Sequence, residues 1–255
     1  MVKSLGDESQ AHPTEIFSDR VRVTVYTAND TFDGFTSAEL GVTMAKGADF
    51  YDKSANSLIT EGNGLFTKTS HGSTREQGTH FIYKPVTGDV TMTAKIYNLE
   101  KIRYFQFSGI MIASAPDING EMYGTGMNYL KDEDFDARAG VNGKRFEGRN
   151  IVPLIKPATA VRAQTLSKYL GIPQARANST TAIGGSDGGW VRIAKKGTTV
   201  TLSGSVDGNE WYELYTTETT LPDTCYIGFA TSSAQDGEDM IQYNKSLFTD
   251  ISITQ

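Results

Sequence analysis

The strongest constraint in this chain is an alternation of period two. After the turn-like Thr87-Gly88-Asp89, the residues Val90, Met92, Ala94 and Ile96 interleave with Thr91, Thr93, Lys95 and Tyr97. Successive side chains of a strand point to opposite faces, so this stretch has one apolar and one polar face, which a helix would scramble. Val200, Leu202 and Val206 alternate in the same way with Thr199, Thr201, Ser203 and Ser205, and Ile227 and Phe229 with Tyr226, Gly228 and Ala230. Leu247, Ile251 and Ile253 read as one side of a last strand. Lys196-Gly197 and Asp207-Gly208 fall where hairpin turns belong. A helical pattern is confined to Thr159–Leu170, with Val161, Leu166 and Leu170 on one face, Gly171 as a stop, and Pro157 and Pro173 on either side. The expectation is an all-β protein, a two-sheet antiparallel β-sandwich or jelly roll with at most one short helix near 159–170.

A chain of 255 residues can bury about 70–75% of its unfolded surface, enough to fold without disulfides or metal. The lone cysteine, Cys225, excludes an internal disulfide framework and reads as a small buried residue at the start of a core strand. Residues 1–19 are polar, carry no apolar core of a signal peptide, and read as a tail or linker; residues 20–255 read as one domain. No apolar run approaches the roughly 20 residues of a membrane span.

Charge is uneven along the chain. Residues 137–186 carry Arg138, Lys144, Arg145, Arg149, Lys156, Arg162, Lys168 and Arg176 against a single acid, Glu147. That segment has a charge of +7 in a chain of −6, so the remainder stands at −13. Two readings stay open. The stretch is a solvated insertion neutralised by the acidic surface around it, or a positive surface for an anionic ligand such as a polyuronate. The acidic remainder would repel phosphate over a wide area, so nucleic acid is not an expected partner.

Most catalytic patterns fail on context. Gly184-Gly185-Ser186-Asp187-Gly188 matches G-x-S-x-G, but a nucleophile elbow needs a following helix and a later histidine. A strand pattern follows at Trp190, and His12, His71 and His80 all lie upstream. The histidines form no close metal-binding spacing and read as surface or hydrogen-bonded groups. Asp132, Asp134 and Asp136 have the alternate spacing that opens a calcium loop, without the Gly and distal Glu of an EF-hand; Asp117, Asn119 and Glu121 have a similar spacing. One structural calcium is therefore the only cofactor that the sequence offers.

The stretch from Gly88 to Thr254 resembles a family, the bacterial concanavalin A-like, laminin-G-like jelly-roll modules attached to secreted polysaccharide-degrading enzymes. The resemblance rests on Gly88-Asp89-Val90-Thr91-Met92-Thr93-Ala94, on Ser108-Gly109-Ile110-Met111-Ile112, and on Trp190-Val191-Arg192-Ile193 with Ser205-Val206-Asp207-Gly208 and Trp211. It closes with Tyr226-Ile227-Gly228-Phe229-Ala230 and Phe248-Thr249-Asp250-Ile251. It implies a two-sheet sandwich whose first and last strands pair. It also implies an extracellular, secreted or cell-surface location and a carbohydrate partner, with the chain often part of a larger secreted enzyme. The position after Ile112, often Arg in the family, is Ala113, and the basic stretch is longer than the usual connection.

Together these readings lead to a non-catalytic carbohydrate-binding module for a plant or microbial polysaccharide, with acidic, uronate-containing chains included. Sugar rings pair an apolar C–H face with a polar rim, which suits aromatic platforms beside hydrogen-bonding side chains. The expected contacts are Arg103, Tyr104, Tyr123, Asn128, Tyr129, Arg138 and Arg145: tyrosines to stack, Asn128 for hydroxyls, arginines for carboxylates or hydroxyls. Trp190 and Trp211 read as core. Two alternatives stay open: a polysaccharide lyase or glycoside hydrolase on the same fold, with Tyr129 and Arg138 as base and neutralising cation, or a cell-surface adhesion domain.

Overall fold

The computed structural model describes residues 14–18, 21–25, 34–41, 49–62, 78–98, 107–130, 148–161, 163–166, 168–172, 188–233 and 244–255. All regular structure among them is β. The strands are β1 (Thr14–Ser18), β2 (Val21–Val25), β3 (Thr36–Gly41), β4 (Asp49–Asp52), β5 (Ser57–Gly62), β6 (Gly78–Thr87), β7 (Val90–Asn98), β8 (Phe107–Ala113) and β9 (Met122–Leu130). They continue as β10 (Gly148–Lys156), β11 (Gln164–Thr165), β12 (Leu170–Gly171), β13 (Gly189–Lys196), β14 (Thr199–Ser205), β15 (Tyr212–Glu218), β16 (Thr224–Ser232) and β17 (Asn244–Thr254).

Two antiparallel sheets face each other. One has eight strands in the order β11-β10-β9-β8-β16-β6-β3, with β12 also on β10; the other has seven, β15-β14-β13-β7-β17-β5-β4. β1 and β2 pair only with each other, so Thr14–Ser18, inside the stretch read as a tail, is one arm of a hairpin. The last strand pairs with β5 and with β7, the first strand of the stretch from Gly88 that carries the family likeness, so the pairing that the likeness implies is present.

The alternating stretches behave as their pattern requires. Val90, Met92, Ala94 and Ile96 of β7 enter the core between the sheets, with Val191, Ile193, Val200, Leu202, Ile227 and Phe229. Cys225 is buried in the same core, where loss of hydration pushes its thiol pKa up. Gly88, Gly197 and Gly208 hold positive φ at the expected turns, where a Cβ would add strain.

Three local departures have identifiable causes. The described residues of 159–170 are not helical: Ala160 N–H donates to the Pro157 carbonyl in a tight turn, and Gln164–Thr165 and Leu170–Gly171 lie against β10. Sheet pairing satisfies the free edge of β10 and overrides a short helical pattern. Val161, assigned to the apolar helix face, is 90% exposed. In β17 the register breaks between Thr249 and Ser252, with Asp250 at positive φ. This bulge puts Ile251 and Ile253 on the core side with Phe248, and Leu247 on the other. The third departure concerns the basic stretch: residues 148–156, 164–165 and 170–171 are strands of the eight-stranded sheet, so 137–186 is not one excursion.

The two ends of the sandwich differ. The connections 42–48, 63–77, 99–106, 131–147, 173–187 and 234–243 all begin and end at one end, where Gly41 meets Gly78, Gly62 meets Asn244, and Phe107 meets Ser232 and Asn128. The other end has short turns such as 53–56, 88–89 and 197–198. Variable connections on a rigid scaffold are where binding groups concentrate.

Candidate functional site

The eight-stranded sheet is apolar on both faces, as β8 shows, all seven of whose residues are buried. Its inner face belongs to the intersheet core. Its outer face carries a second cluster that includes Leu40, Phe81, Phe107, Met111, Ala113, Met122, Val152, Leu154 and Ala230. The register arranges this face in rows. At the short-turn end Tyr226, Ala113, Met122 and Lys156 lie side by side; the next rows are Gly228, Met111, Gly124, Leu154 and then Ala230, Gly109, Gly126, Val152. The last row, at the end of the long connections, is Ser232, Phe107, Asn128 and Asn150.

That last row is polar where the two rows beside it are apolar. Asn128 is completely buried, and neither its amide nitrogen nor its amide oxygen has a hydrogen-bond partner. The Ser232 hydroxyl, two strands away, is likewise buried and unpartnered. Leaving such groups unsatisfied costs about 1–3 kcal/mol each, so a folded protein rarely keeps them without a use. Phe107 starts in the same row, but its ring lies down over the adjacent one. A Cβ at Gly126 would stand 2.7 Å from the Phe107 Cζ and 2.5 Å from the Ser108 carbonyl, and one at Gly109 would stand 2.8 Å from the same Cζ. The paired glycines leave room for the ring over their own row, next to the one that holds Ser232 and Asn128.

Beneath this row, between the sheets, the core is also polar. Ser108 and Ser246 hydroxyls meet at 2.5 Å, and Asn244 Nδ2 donates to the Phe107 carbonyl, Ser108 Oγ and the Ser232 carbonyl at 2.8–3.1 Å. His80 of β6 is fully buried and bridges the sheets: Nδ1 contacts Glu39 of β3, and Nε2 lies 2.8 and 2.9 Å from the carboxylate oxygens of Asp49 on β4. Burial, the largest single influence, opposes the imidazolium charge, yet the hydrogen bonds and charges of Asp49 and Glu39 together outweigh it and raise its pKa to about 9. His80 is therefore a doubly charge-paired clamp at neutral pH. Its partners Glu39 and Asp49 had no distinguishing signal in the sequence, since they are separated from it by 41 and 31 positions.

The expected contact residues divide. Asn128 stands in the polar row. Tyr123, on the same strand but of opposite parity, points into the intersheet core at 2% exposure and donates its hydroxyl to Glu121 at 2.6 Å. Burial and that carboxylate raise the phenol pKa, and the ring offers no stacking face. Tyr129 follows Asn128 in β9, paired with Arg149. Arg103, Tyr104, Arg138 and Arg145 lie outside the described residues, in the connections 99–106 and 131–147 that join the sheet on either side of Phe107 and Asn128. Ser232 and the Gly109–Gly126 floor were not singled out as site residues; the legible signal was the Gly124-Thr125-Gly126-Met127-Asn128 alternation, which places both glycines and the amide on one face.

The other candidates resolve as follows. Asp132, Asp134 and Asp136 lie outside the described residues. Asp117 caps its own turn through the Asn119 N–H, Glu121 accepts from Tyr123 and Thr220, and the Lys156 ammonium donates to the Asn119 and Gly120 carbonyls at 2.7 and 2.9 Å. The Lys156 ammonium thus takes two backbone carbonyls of this turn, while the Asp117 and Glu121 carboxylates bond neighbouring N–H and O–H donors. Among the described residues no three His, Cys, Asp or Glu side chains group as metal ligands. Gly188 leads into strand β13, not a helix, which removes the elbow reading of 184–188. Trp190 and Trp211 are half-buried on the outer face of the seven-stranded sheet, not in the core. Arg192 stacks 3.5 Å from the Trp211 ring centroid, Lys95 lies 5.9 Å from that of Trp190, and Trp211 Nε1 donates to the Gly208 carbonyl. These cation–π contacts brace the sheet surface.

No protein-family model and no curated protein sequence matches the chain. Solved structures share its fold. A protein of unknown function from Saccharomyces cerevisiae superposes with a TM-score of 0.54 at 14% identity, over 86% of this chain and 95% of its own. A xylan β-1,4-xylosidase from Bacillus halodurans superposes with a TM-score of 0.50 at 12% identity. That match spans 77% of this chain and 33% of the xylosidase chain. At these identities the likeness establishes the two-sheet sandwich.

Proposed function

We propose that this protein is a non-catalytic carbohydrate-binding module, extracellular, that recognises a plant or microbial polysaccharide through the outer face of its eight-stranded sheet at the end of the long connections. The observation that carries the reading is Asn128, an amide buried with its donor and its acceptor both unused. A sugar hydroxyl donates and accepts at once, which is the pairing such an amide calls for. Arg103, Tyr104, Tyr129, Arg138 and Arg145 belong to the strand ends and connections around this row and complete the proposed binding set. The likeness to one part of a chain named as a xylosidase is in keeping with a sandwich that accompanies polysaccharide-acting enzymes.

The test is a glycan array with the full chain, followed by calorimetry on the best ligand. Micromolar to millimolar binding, without release of reducing or unsaturated ends, is expected. Turnover of the bound glycan would replace the module reading with a lyase or hydrolase. An array without a single glycan bound would refute both.

A further inference from the structure

The seven-stranded sheet turns a different surface to solvent. Along the outer face of β7 and β13 stand Tyr97, Lys95, Trp190 and Arg192, with Trp211 beside them at the entry to β15. All five side chains are partly exposed, and none of the three rings belongs to an apolar core cluster. Cations and rings alternate: the Lys95 ammonium lies 5.0 and 5.9 Å from the Tyr97 and Trp190 centroids, and the Arg192 guanidinium carbon 3.5 Å from that of Trp211. Stacking occupies a face of the guanidinium and leaves its N–H edge unused.

Neither cation has a carboxylate. Among the described residues no hydrogen bond or ion pair joins either side chain to a partner, and burial alone acts on the Arg192 pKa, lowering it. The acids close by are placed elsewhere. Asp207 accepts from the Ser205 hydroxyl and the Asn209 and Glu210 N–H groups, and Glu210 lies by the Tyr212 hydroxyl. Glu213 stands two strands from Arg192, about 10 Å between backbones. Lys95 and Arg192 sit on a diagonal of β7 and β13, about 7–8 Å apart at the backbone. In a chain of net charge −6, two such cations are open to an anion from outside.

We infer that this face is a second glycan-binding surface, on the sheet opposite the Asn128 row, and that it takes a uronate-bearing polysaccharide. The Arg192 fork holds one carboxylate, Lys95 attracts a neighbouring one, and the open parts of the rings meet sugar C–H faces. Thr93 and Ser252, in the Arg192 row, offer neutral partners for sugar hydroxyls, which favours a sugar acid over an acidic peptide. The inference rests on the carbohydrate-binding reading but uses no residue of the Asn128 row. The set proposed around that row has arginines of its own, Arg103, Arg138 and Arg145, so the variants and not uronate binding alone locate the site.

Oligogalacturonates and their methyl esters, which keep the sugar and lose the charge, are titrated into the full chain at about 50 and 500 mM salt. The chains compared are wild type, Arg192→Gln, Arg192→Lys and Lys95→Gln, with thermal midpoints read alongside. An exposed ion pair changes affinity by up to about fivefold. The free acid is therefore expected to bind about fivefold or more tighter than the ester and to weaken about threefold or more at the higher salt. Arg192→Gln is expected to weaken free-acid binding about fivefold and Lys95→Gln about threefold, with ester binding unchanged. Arg192→Lys, which keeps the charge and loses the fork, is expected to recover less than half of the loss. Lys95→Gln carries the test by itself where loss of the Arg192 stack unfolds the chain.

Binding of neutral glycans alone, or uronate binding that neither Gln variant changes, would overturn the inference and leave the module reading standing. Polyglutamate that binds as tightly as the uronate oligomer would do the same. Failure to bind every glycan, neutral chains included, would overturn both.

Discussion

The His80 clamp makes stability depend on pH in a defined window. Its pKa is raised from 6.5 to about 9 in the folded protein. A group whose folded pKa lies above its unfolded one binds more protons in the native state, so its contribution is complete below about pH 6.5 and disappears as pH rises through 9. At about 1.4 kcal/mol per decade of proton affinity, the contribution is about 3 kcal/mol. This is an upper value, because His80 is fully buried but Glu39 and Asp49 are 21% and 24% exposed and water screens part of the attraction. The assay is urea unfolding between about pH 6 and pH 10, with His80→Gln run in parallel so that other titrating groups cancel. Wild type is expected to lose about 3 kcal/mol relative to the variant across the window, the two curves converging above pH 9. Parallel curves from pH 6.5 to 9, or a wild type that gains on the variant with rising pH, would refute the argument.

Gly228→Ala would place a Cβ 1.8 Å from the Ile82 carbonyl oxygen in the paired strand, so a loss of about 3 kcal/mol or more is expected by thermal or urea melt. Tyr123→Phe removes the phenol from Glu121, which keeps its bonds to Thr220; a loss of about 1–2 kcal/mol is expected, with glycan affinity unchanged by calorimetry. Lys156→Met leaves the Asn119 and Gly120 carbonyls without the ammonium that bonds them, and urea unfolding is expected to show a loss of about 1–3 kcal/mol.

Part of the candidate site was legible because it followed from parity. Asn128 shares the parity of Gly124 and Gly126, so its place beside two glycines is a property of the strand pattern alone. Which face that was could not be read, because β8 and β9 are buried on both sides and neither face is marked by polarity. Tyr123 shows the cost: an aromatic on such a strand suits an outer platform or an inner core equally well, and the intersheet packing decided for the core. Trp190 and Trp211 erred the other way, because stacked Arg192 and Lys95 let large rings sit at the surface.

By itself the sequence determined the all-β class, the position of its tight turns and the core face of strands with one polar side, such as β7. Those features rest on interactions a few residues long. Only the tertiary structure decided what depends on residues distant in the chain. It converted the helical pattern of 159–170 into edge strands on β10, reversed the face of β17 at a bulge, and joined His80 to Glu39 and Asp49 across two sheets. The +7 segment shows the same division. Its charge is fixed by composition, yet strand pairing carries Lys156 to the end opposite Asn128, so local charge along a chain does not become local charge in space.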